Sequence, residues 1–389
     1  MNRRILIVRL SAIGDVVMAS GLIPALRARF PEAHIAWLAE PAVRDLLAAN
    51  PRLDEVILWP RAEWQRLWRE RRYGELVRAI LSFVRELRAR RFDLVLDLQG
   101  LLKSGLWAWL SGARQRIGIG SREGAQWLMT EVLPRHSADQ RIGSEYRMLA
   151  RELGAKDADF HMDLALADAD RLAAVALLRE VLNAGAAGAP SGFIAIAPFT
   201  TRPQKHWFEE RWAELVSRLH ATSGLPVLML GGPSDREAAA RIAAACVAAA
   251  CITTAAPGLI DLTGRTRIAA TAAIIGQARL LIGVDTGLTH MGIALSVPTI
   301  ALFGSTRPYL DTASPTARVL YEPLACSPCR RHPTCGGSFD CMRAHTVDQV
   351  HAVALELMNA ALMTAPAESR FTVQGEKANG HGEKHRPES

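Results

Sequence analysis

Short apolar runs alternate along this chain with stretches in which apolar residues recur at the spacing of a helix. Apolar runs occupy residues 5–10, 34–38, 56–58 and 94–98. After the first run, helical periodicity continues as far as Phe30 and stops before Pro31. A repeated order of buried strand and helix is typical of βαβ units with a parallel sheet.

The same alternation begins again in the second half, with apolar runs at residues 193–197, 227–230, 280–284 and 299–303. Small residues and glycine dominate residues 183–192, which we interpret as a linker. We therefore predict an α/β protein of two Rossmann-like domains, residues 1–185 and 186–363, facing each other across a cleft. Residues 364–389 hold too few apolar side chains to fold, and we predict a disordered tail there.

Length and charge refine this prediction. The chain has 389 residues, of which 49% are hydrophobic, and this suits two well-filled cores. The net charge is +7, and residues 61–91 alone contain ten arginines and four glutamates, with Trp64 and Trp68 one helical turn apart. Such a segment is either a surface for an anionic membrane or acceptor, or the solvated face of a helix. No recognition motif for nucleic acid accompanies the charge, so we expect no nucleic-acid partner.

The beginning of the chain resembles a signal peptide only in part, because Arg9 and Asp15 interrupt its apolar stretch. A bilayer-spanning helix needs about 18 or more uncharged apolar residues in a row, and the sequence has no such run. We expect a soluble cytoplasmic protein.

The turn Asp285-Thr286-Gly287 is the first of three candidate sites at strand ends. It lies between an apolar run and a helical pattern that begins near Thr289. A strand that leads directly into a helix aims free N–H groups and the positive end of the helix dipole at one point, which suits a phosphate. His290 adds an imidazole nearby.

The second candidate site contains Thr200, Thr201 and Lys205, after the first strand of the second half. Two hydroxyls and an ammonium group are able to hold a diphosphate without a metal, although an ordinary polar loop has the same composition. A glycine turn at residues 230–235 follows the next strand, and we interpret it as a plain turn.

The third candidate site is the turn with Ser11, Gly14 and Asp15, after the first strand. It places a carboxylate at the start of a helix, on the cleft side. A helix cap is the alternative role for this aspartate. The turn lacks the pattern G-x-G-x-x-G, so NAD and FAD are not predicted.

Four cysteines cluster near the end of the second domain, at Cys326, Cys329, Cys335 and Cys341. One C-x-x-C pair with two further thiols is compatible with structural zinc, but the second pair lacks the spacing of a zinc ribbon. Reduced loop cysteines are the alternative, and a cytosolic setting argues against permanent disulfides.

Four motifs together resemble glycosyltransferase family 9, the heptosyltransferases of lipopolysaccharide inner-core synthesis. They are residues 5–16 with Asp15, residues 97–100 (DLQG), Thr200-Thr201 with Lys205-His206-Trp207, and residues 285–290 (DTGLTH). Their order and spacing cover roughly residues 1–350, which makes the resemblance specific. It implies a GT-B fold, with the acceptor bound by the first domain and the nucleotide sugar by the second.

The resemblance also implies a reaction. L-glycero-D-manno-heptose would pass from ADP-heptose to Kdo or heptose on lipid A, with inversion, at the cytoplasmic face of the inner membrane, where the protein would be peripheral. No cofactor or metal would be required. Asp15 would be the general base, and Ser11 and Gly14 would form the acceptor-side turn. The remaining motif residues would hold the diphosphate and stabilise the departing ADP; they are Thr200, Thr201, Lys205, Asp285, Thr286 and Gly287, with His290 close by.

Two alternatives stay open beside this function. The chain would be a family relative that uses another nucleotide sugar or glycan acceptor, or a nucleotide-sugar-binding protein without turnover. A protein that only binds has no need of a carboxylate at the acceptor side, and Asp15 therefore argues against the second alternative. The sequence does not distinguish transfer of the first heptose from transfer of the second.

Overall fold

The computed structural model describes residues 3–135, 138–183, 190–248, 258–329 and 332–364. In these ranges the chain forms two six-stranded parallel sheets. The strands of the first sheet are β1 (Arg4–Val8), β2 (His34–Ala39), β3 (Glu55–Leu58), β4 (Leu94–Asp97), β5 (Gln115–Ile119) and β6 (Glu131–Leu133). Those of the second are β7 (Ile194–Ala197), β8 (Val227–Met229), β9 (Leu259–Asp261), β10 (Leu280–Val284), β11 (Thr299–Phe303) and β12 (Ala317–Tyr321).

Both sheets have the same strand order. The first is ordered β3-β2-β1-β4-β5-β6 and the second β9-β8-β7-β10-β11-β12. The two orders are the same when β7 is counted as the first strand of the second sheet. This is the doubly wound arrangement of dinucleotide-binding domains, in which a crevice opens where the strand order reverses. The predicted architecture of two Rossmann-like α/β domains is therefore confirmed.

Helices cover both faces of the sheets. Along β1, Ile5 and Ile7 belong to one buried core, while Leu6 and Val8 belong to another on the opposite face. The helices before the second sheet are α1 (Ile13–Ala19), α2 (Leu22–Arg29), α3 (Arg61–Arg69), α4 (Tyr73–Ala89), α5 (Leu102–Leu110), α6 (Ser144–Glu152) and α7 (Asp168–Val181). Those that follow are α8 (Glu209–Ser223), α9 (Arg236–Ala248), α10 (Ile268–Ile275), α11 (Gly287–Ala294), α12 (Asp340–Arg343) and α13 (Val347–Thr364). Within the described ranges, none of these helices has both the length and the apolar character to cross a membrane.

The structure differs from the sequence prediction mainly at the edges of the sheets. Strands β5, β6, β9 and β12 were not predicted. The last three are edge strands with partly exposed side chains, and β5, which lies next to the edge, has only two apolar residues among the five of Gln115–Ile119. The helix predicted to reach Phe30 is divided into α1 and α2 around Gly21. A Cβ atom on Gly21 would lie 2.6 Å from the ring of Phe160, so the chain approaches this ring closely at the break.

The helix α7 precedes the predicted domain boundary at residue 185, yet it packs on the second sheet. Its Ala174 and Leu178 share a core with Phe193 and Ala195. By packing, the second domain therefore begins before α7. Most of the predicted linker, residues 184–189, and the predicted tail from residue 365 lie outside the described residues.

The two domains meet where the N-termini of α1 and α11 touch. A Cβ atom on Gly14 would lie 2.7 Å from the ring of His290, and one on Gly287 would lie 2.5 Å from Cγ2 of Ile13. Such distances are too short for real side chains, so only glycine permits this approach. Val17 of α1 extends the contact, because it belongs to the core of the second sheet.

We predict that Gly287→Ala separates the two helix ends and lowers the free energy of unfolding by about 1–3 kcal/mol, the usual effect of overpacking a tight contact. Thermal and denaturant unfolding measure this change. Gly74→Ala is the matched control, because Gly74 also lies in the first turn of a helix and a Cβ there meets nothing within 4 Å. Equal effects of the two substitutions would contradict a tight helix contact.

Candidate active site

A cavity of about 1080 Å³ lies between the domains, beyond the carboxyl ends of the central strands. This volume is at the upper end of the range for small-molecule sites. The first domain contributes the start of α1, with Asp15, to its lining. The second domain contributes the turns after β7, β8 and β10, which are residues 199–202 with Lys205, 230–235 and 285–288. The glycine turn at residues 230–235, interpreted as a plain turn, thus lines the cavity as well.

Asp285 is the centre of the polar network in this cavity. Its Oδ2 lies 2.6 Å from Nζ of Lys205 and accepts a hydrogen bond from Oγ1 of Thr306. Its Oδ1 lies 3.5 Å from Nε2 of His290. Burial raises the pKa of the Asp285 carboxyl, but His290 and Lys205 outweigh burial and hold that pKa well below its usual range. The carboxylate is therefore ionised at neutral pH.

This geometry changes the role expected for Asp285. A carboxylate only accepts hydrogen bonds, and its negative charge repels a phosphate. Asp285 is therefore suited to orient Lys205 rather than to hold a diphosphate itself. The N–H groups at the start of α11, where Thr286 is the N-cap residue and Gly287 the first helical one, retain the features of an anion site.

The other predicted donor-site residues have distinct places in the network. Oγ1 of Thr200 donates to the backbone carbonyl of Asp285 at 3.3 Å, whereas Thr201 is exposed and lines the cavity. His290 is buried, and its Nδ1 lies 2.8 Å from the hydroxyl of Tyr309. Tyr309 and Thr306 had no signal in the sequence, because they come from a loop more than 15 residues after the motif at Asp285.

Asp15 lies where the large cavity meets a second one of about 480 Å³. The second cavity is lined mainly by residues 138–140, 143–146 and 307–310. Both cavities share Asp15, Met18, Arg307 and Pro308. A carboxylate at the junction of two cavities is able to contact two bound molecules at once. A residue that only caps a helix does not need such a position.

Arg9 holds this carboxylate and was not predicted as a functional residue. Its guanidinium forms an ion pair with Oδ2 of Asp15 and donates to the carbonyl of Leu98 at 2.8 Å. The backbone N–H of Ala12 lies 3.4 Å from the same Oδ2. Within the described residues no hydrogen bond to Oδ1 of Asp15 is present, so this oxygen is open to a ligand. A charged residue within an apolar run of sequence needs a partner when it is buried, and that rule was the available signal for Arg9.

Two other sequence motifs have structural roles. Asp97 of the DLQG motif is buried and accepts hydrogen bonds from the N–H groups of Gln99 and Gly100, both at 3.1 Å. Gln99 in turn accepts the N–H of Leu10 at 3.1 Å, and so ties this motif to the turn before α1. Ser11 lies in that turn but lines neither cavity, and Gly14 lines the larger cavity but not the smaller one.

The zinc alternative for the cysteine cluster is not supported by the geometry. No group of three or more His, Cys, Asp or Glu side chains is placed to hold a metal ion in the ranges that the structure describes. Cys341 faces the interior at Gly304, whereas Cys326 is exposed. Burial raises the pKa of Cys329 and of Cys341, whereas hydrogen bonds from the backbone at Phe339 and Gly337 lower the pKa of Cys335. Within the described residues none of the four cysteines forms a disulfide.

Comparison with known proteins agrees with this geometry. Residues 80–337 match glycosyltransferase family 9 (heptosyltransferase). Lipopolysaccharide heptosyltransferase 1 of Pseudomonas aeruginosa is 31% identical over 333 residues, which are 84% of this chain and 86% of that protein. Lipopolysaccharide heptosyltransferase 2 of Escherichia coli K12 is 25% identical over 320 residues, covering 82% and 87%. A glycosyl transferase family 9 structure from Veillonella parvula superposes with a TM-score of 0.75 at 21% identity, over 92% of this chain and 98% of that one.

We predict that Asp285→Asn lowers the free energy of unfolding by about 3 kcal/mol at pH 7, because Lys205 then keeps a buried charge without its partner. The folded-state pKa of Asp285 lies below the unfolded value of about 3.9, so its stabilisation is present at neutral pH and is lost as the pH falls below about 4. Denaturant unfolding at pH 7, 5 and 3 should show the difference between wild type and variant shrinking only at the lowest pH.

Asp261→Asn is the control for this series, because Asp261 is an exposed aspartate at the end of β9. It should leave stability nearly unchanged at every pH. A difference for Asp285→Asn that stays constant down to pH 4 and below would contradict a lowered pKa at this site.

Proposed function

The chain belongs to glycosyltransferase family 9, and we propose that it transfers L-glycero-D-manno-heptose from ADP-heptose to Kdo on lipid A, the first heptose of the lipopolysaccharide core. The family match and the relatives support a lipopolysaccharide heptosyltransferase. The choice of the first heptose rests on the relative named heptosyltransferase 1, which is 31% identical, against 25% for heptosyltransferase 2 of Escherichia coli.

The observation that carries this proposal is the position of Asp15 at the junction of the two cavities. The larger cavity has the features of a diphosphate site: the ammonium of Lys205, the hydroxyl of Thr201 and the free N–H groups at the start of α11. The smaller cavity would take the acceptor sugar. A base between donor and acceptor is the arrangement that a single displacement requires.

In the proposed reaction, the acceptor hydroxyl attacks the anomeric carbon from the side opposite to the diphosphate. Its proton passes to Oδ1 of Asp15, while Oδ2 stays paired with Arg9. A bond forms between the acceptor oxygen and the anomeric carbon, and the bond from that carbon to the diphosphate oxygen breaks. One displacement of this kind inverts the anomeric configuration.

Leaving-group stabilisation would come from groups that are already in position. Asp285 holds Lys205 at the cavity wall, and the helix α11 directs its N-terminus at the same region. Such preorganised charges and donors stabilise the negative charge that develops on departing ADP. We propose that these groups suffice without a metal ion.

The proposed acceptor is anchored in a membrane, so we also propose that the protein works at the cytoplasmic face of the inner membrane as a peripheral protein. A nucleotide-sugar-binding protein without turnover is the alternative class. Such a protein would bind ADP-heptose, but it would release no ADP when an acceptor is added.

The proposed function is tested by measuring ADP release from ADP-heptose with Kdo-bearing lipid A and, in parallel, with the heptosylated acceptor. We expect release with the Kdo acceptor alone. Release with only the heptosylated acceptor would make this a second-heptose transferase. No release with either acceptor, together with binding of ADP-heptose, would favour the binding protein or another sugar.

We predict that Asp15→Asn lowers kcat by a hundredfold or more while the affinity for ADP stays nearly unchanged, because the proton acceptor is lost and the donor-side groups of the second domain are not altered. Some stability is lost as well, since the buried Arg9 keeps its charge without a partner. Steady-state ADP release and calorimetric titration with ADP measure the two quantities. Asp54→Asn is the matched control: Asp54 also pairs with an arginine, Arg27 at 2.7 Å, and its side chain is 39% exposed against 37% for Asp15. An equal loss of ADP affinity in Asp15→Asn would indicate a structural role.

A further inference from the structure

Large apolar side chains are exposed on the helices that cover the outer side of the first sheet. On α3 and α4 they are Trp68, Tyr73, Val77 and Leu81, with Trp68 62% exposed and Leu81 56% exposed. The three residues on α4 are four positions apart, so they form one stripe along the helix. The ring of Trp68 stacks edge-on against that of Tyr73 at 5.2 Å and joins α3 to this stripe.

A second stripe lies on the neighbouring helix of the same layer. Leu102, Leu106 and Trp109 of α5 are exposed at helical spacing, and Trp127, in the short 3-10 helix Ala125–Leu128, is 84% exposed. Helix α5 belongs to the same layer as α3 and α4, since its Trp107 packs among aromatic residues of those two helices. We call the exposed apolar residues of α3, α4, α5 and this 3-10 helix the docking face.

Scattered apolar residues are normal on a protein surface, but two stripes on adjacent helices are not. The basic segment, residues 61–91, contains only some of these exposed apolar residues. Trp64, one turn before Trp68, is buried against Trp107 at 5.5 Å between ring centroids and does not reach the surface. The sequence pattern therefore indicated only part of this surface, and the second stripe, on α5, lies outside the basic segment.

The docking face lies in a cationic surrounding. Residues 61–91 hold ten arginines and four glutamates, and residues 101–114 add Lys103 and Arg114 with no acidic residue. Arg72 is paired with Glu70 and Glu75. The ion pairs found among the described residues include none for Arg69, Arg71 or Arg78, so charge remains for an external anion.

We infer that the docking face binds the surface of an anionic lipid bilayer, an inference that rests on the proposed function because it supplies the route to a membrane-anchored acceptor. Exposed tryptophan, tyrosine and leucine side chains enter the interfacial region, and arginines around them attract anionic headgroups. A second copy of this chain would bring two cationic faces together, which argues against a dimer there. Nucleic acid would leave the apolar stripes without a partner.

A cavity in the same helix layer is also lined by apolar side chains together with arginines. It measures about 620 Å³ and is lined by Trp59, Trp64, Trp68, Leu76 and Ile80, with Arg61 and Arg69 among its other walls. Apolar walls with guanidinium groups beside them suit the junction between lipid headgroup and acyl chain. This cavity extends the docking face inward and favours a lipid surface over a purely polar partner.

The inference is tested by sedimentation of the full-length protein with two kinds of vesicle, phosphatidylcholine alone and phosphatidylcholine with 30% phosphatidylglycerol. We expect the wild type to bind the anionic vesicles preferentially. Two double variants, Val77→Ser with Leu81→Ser and Leu106→Ser with Trp109→Ser, should each weaken that binding by about tenfold, since each removes two inserting side chains. Leu172→Ser is the matched control, because Leu172 is 69% exposed on α7 of the other domain.

Several outcomes would overturn the inference. They are failure of the wild type to bind anionic vesicles, equal binding to both kinds of vesicle, and unchanged binding by both double variants when thermal unfolding shows them folded. If one double variant is unfolded, the other is sufficient to test the docking face. ADP release with detergent-solubilised acceptor separates this inference from the proposed function: vesicle binding without turnover refutes only the function, and turnover without vesicle binding refutes only the docking face.

Discussion

The contact between the N-termini of α1 and α11 determines how the two halves of this protein cooperate. Gly14 and Gly287 lie so close to the opposite helix that a Cβ atom on either would collide with it. Because both helices begin directly after a central strand, this contact brings the reversal points of two sheets together. Asp15 thereby comes next to the region of His290, Asp285 and Lys205, although 190 residues separate Asp15 from Lys205 in the sequence.

Asp15 and Lys205, which both line the cavity, are each held by an opposite charge from their own domain. Arg9 holds Asp15 in the first domain, and Asp285 holds Lys205 in the second. Neither half therefore depends on the other to orient its charged side chain. The contact between the domains sets the distance between these two ion pairs. Because these charged groups are already in position, a reaction between two bound molecules would require less reorganisation energy.

The sequence predicted the centre of this molecule better than its edges. Strands buried on both faces, such as β1 and β10, are continuous apolar runs and were found within a few residues, whereas β6 and β9 have too few apolar positions. Asp15, Lys205 and His290, which line the large cavity, could be singled out in the sequence because they stand in compact motifs at strand ends. Arg9 was missed because, in the sequence, it is only a charge that interrupts an apolar run, and Tyr309 because its partner His290 lies in a different motif. The orienting role of Asp285 becomes apparent only when Lys205 is seen beside it.

The two domains share one topology but present different chemistry at the two helix starts that meet between them. The helix α1 carries a carboxylate in its first turn, while the first turn of α11 has no acidic residue and leaves its N–H groups for an anion. The side with the carboxylate is also the side with the docking face, on α3 and α5. These helices begin after β3 and β4, at the same carboxyl edge as Asp15, and Arg61 and Lys103 at their starts both contact Glu40. An acceptor anchored in a bilayer at that face would reach the cleft from the domain that holds Asp15, and a soluble nucleotide sugar would enter from the other.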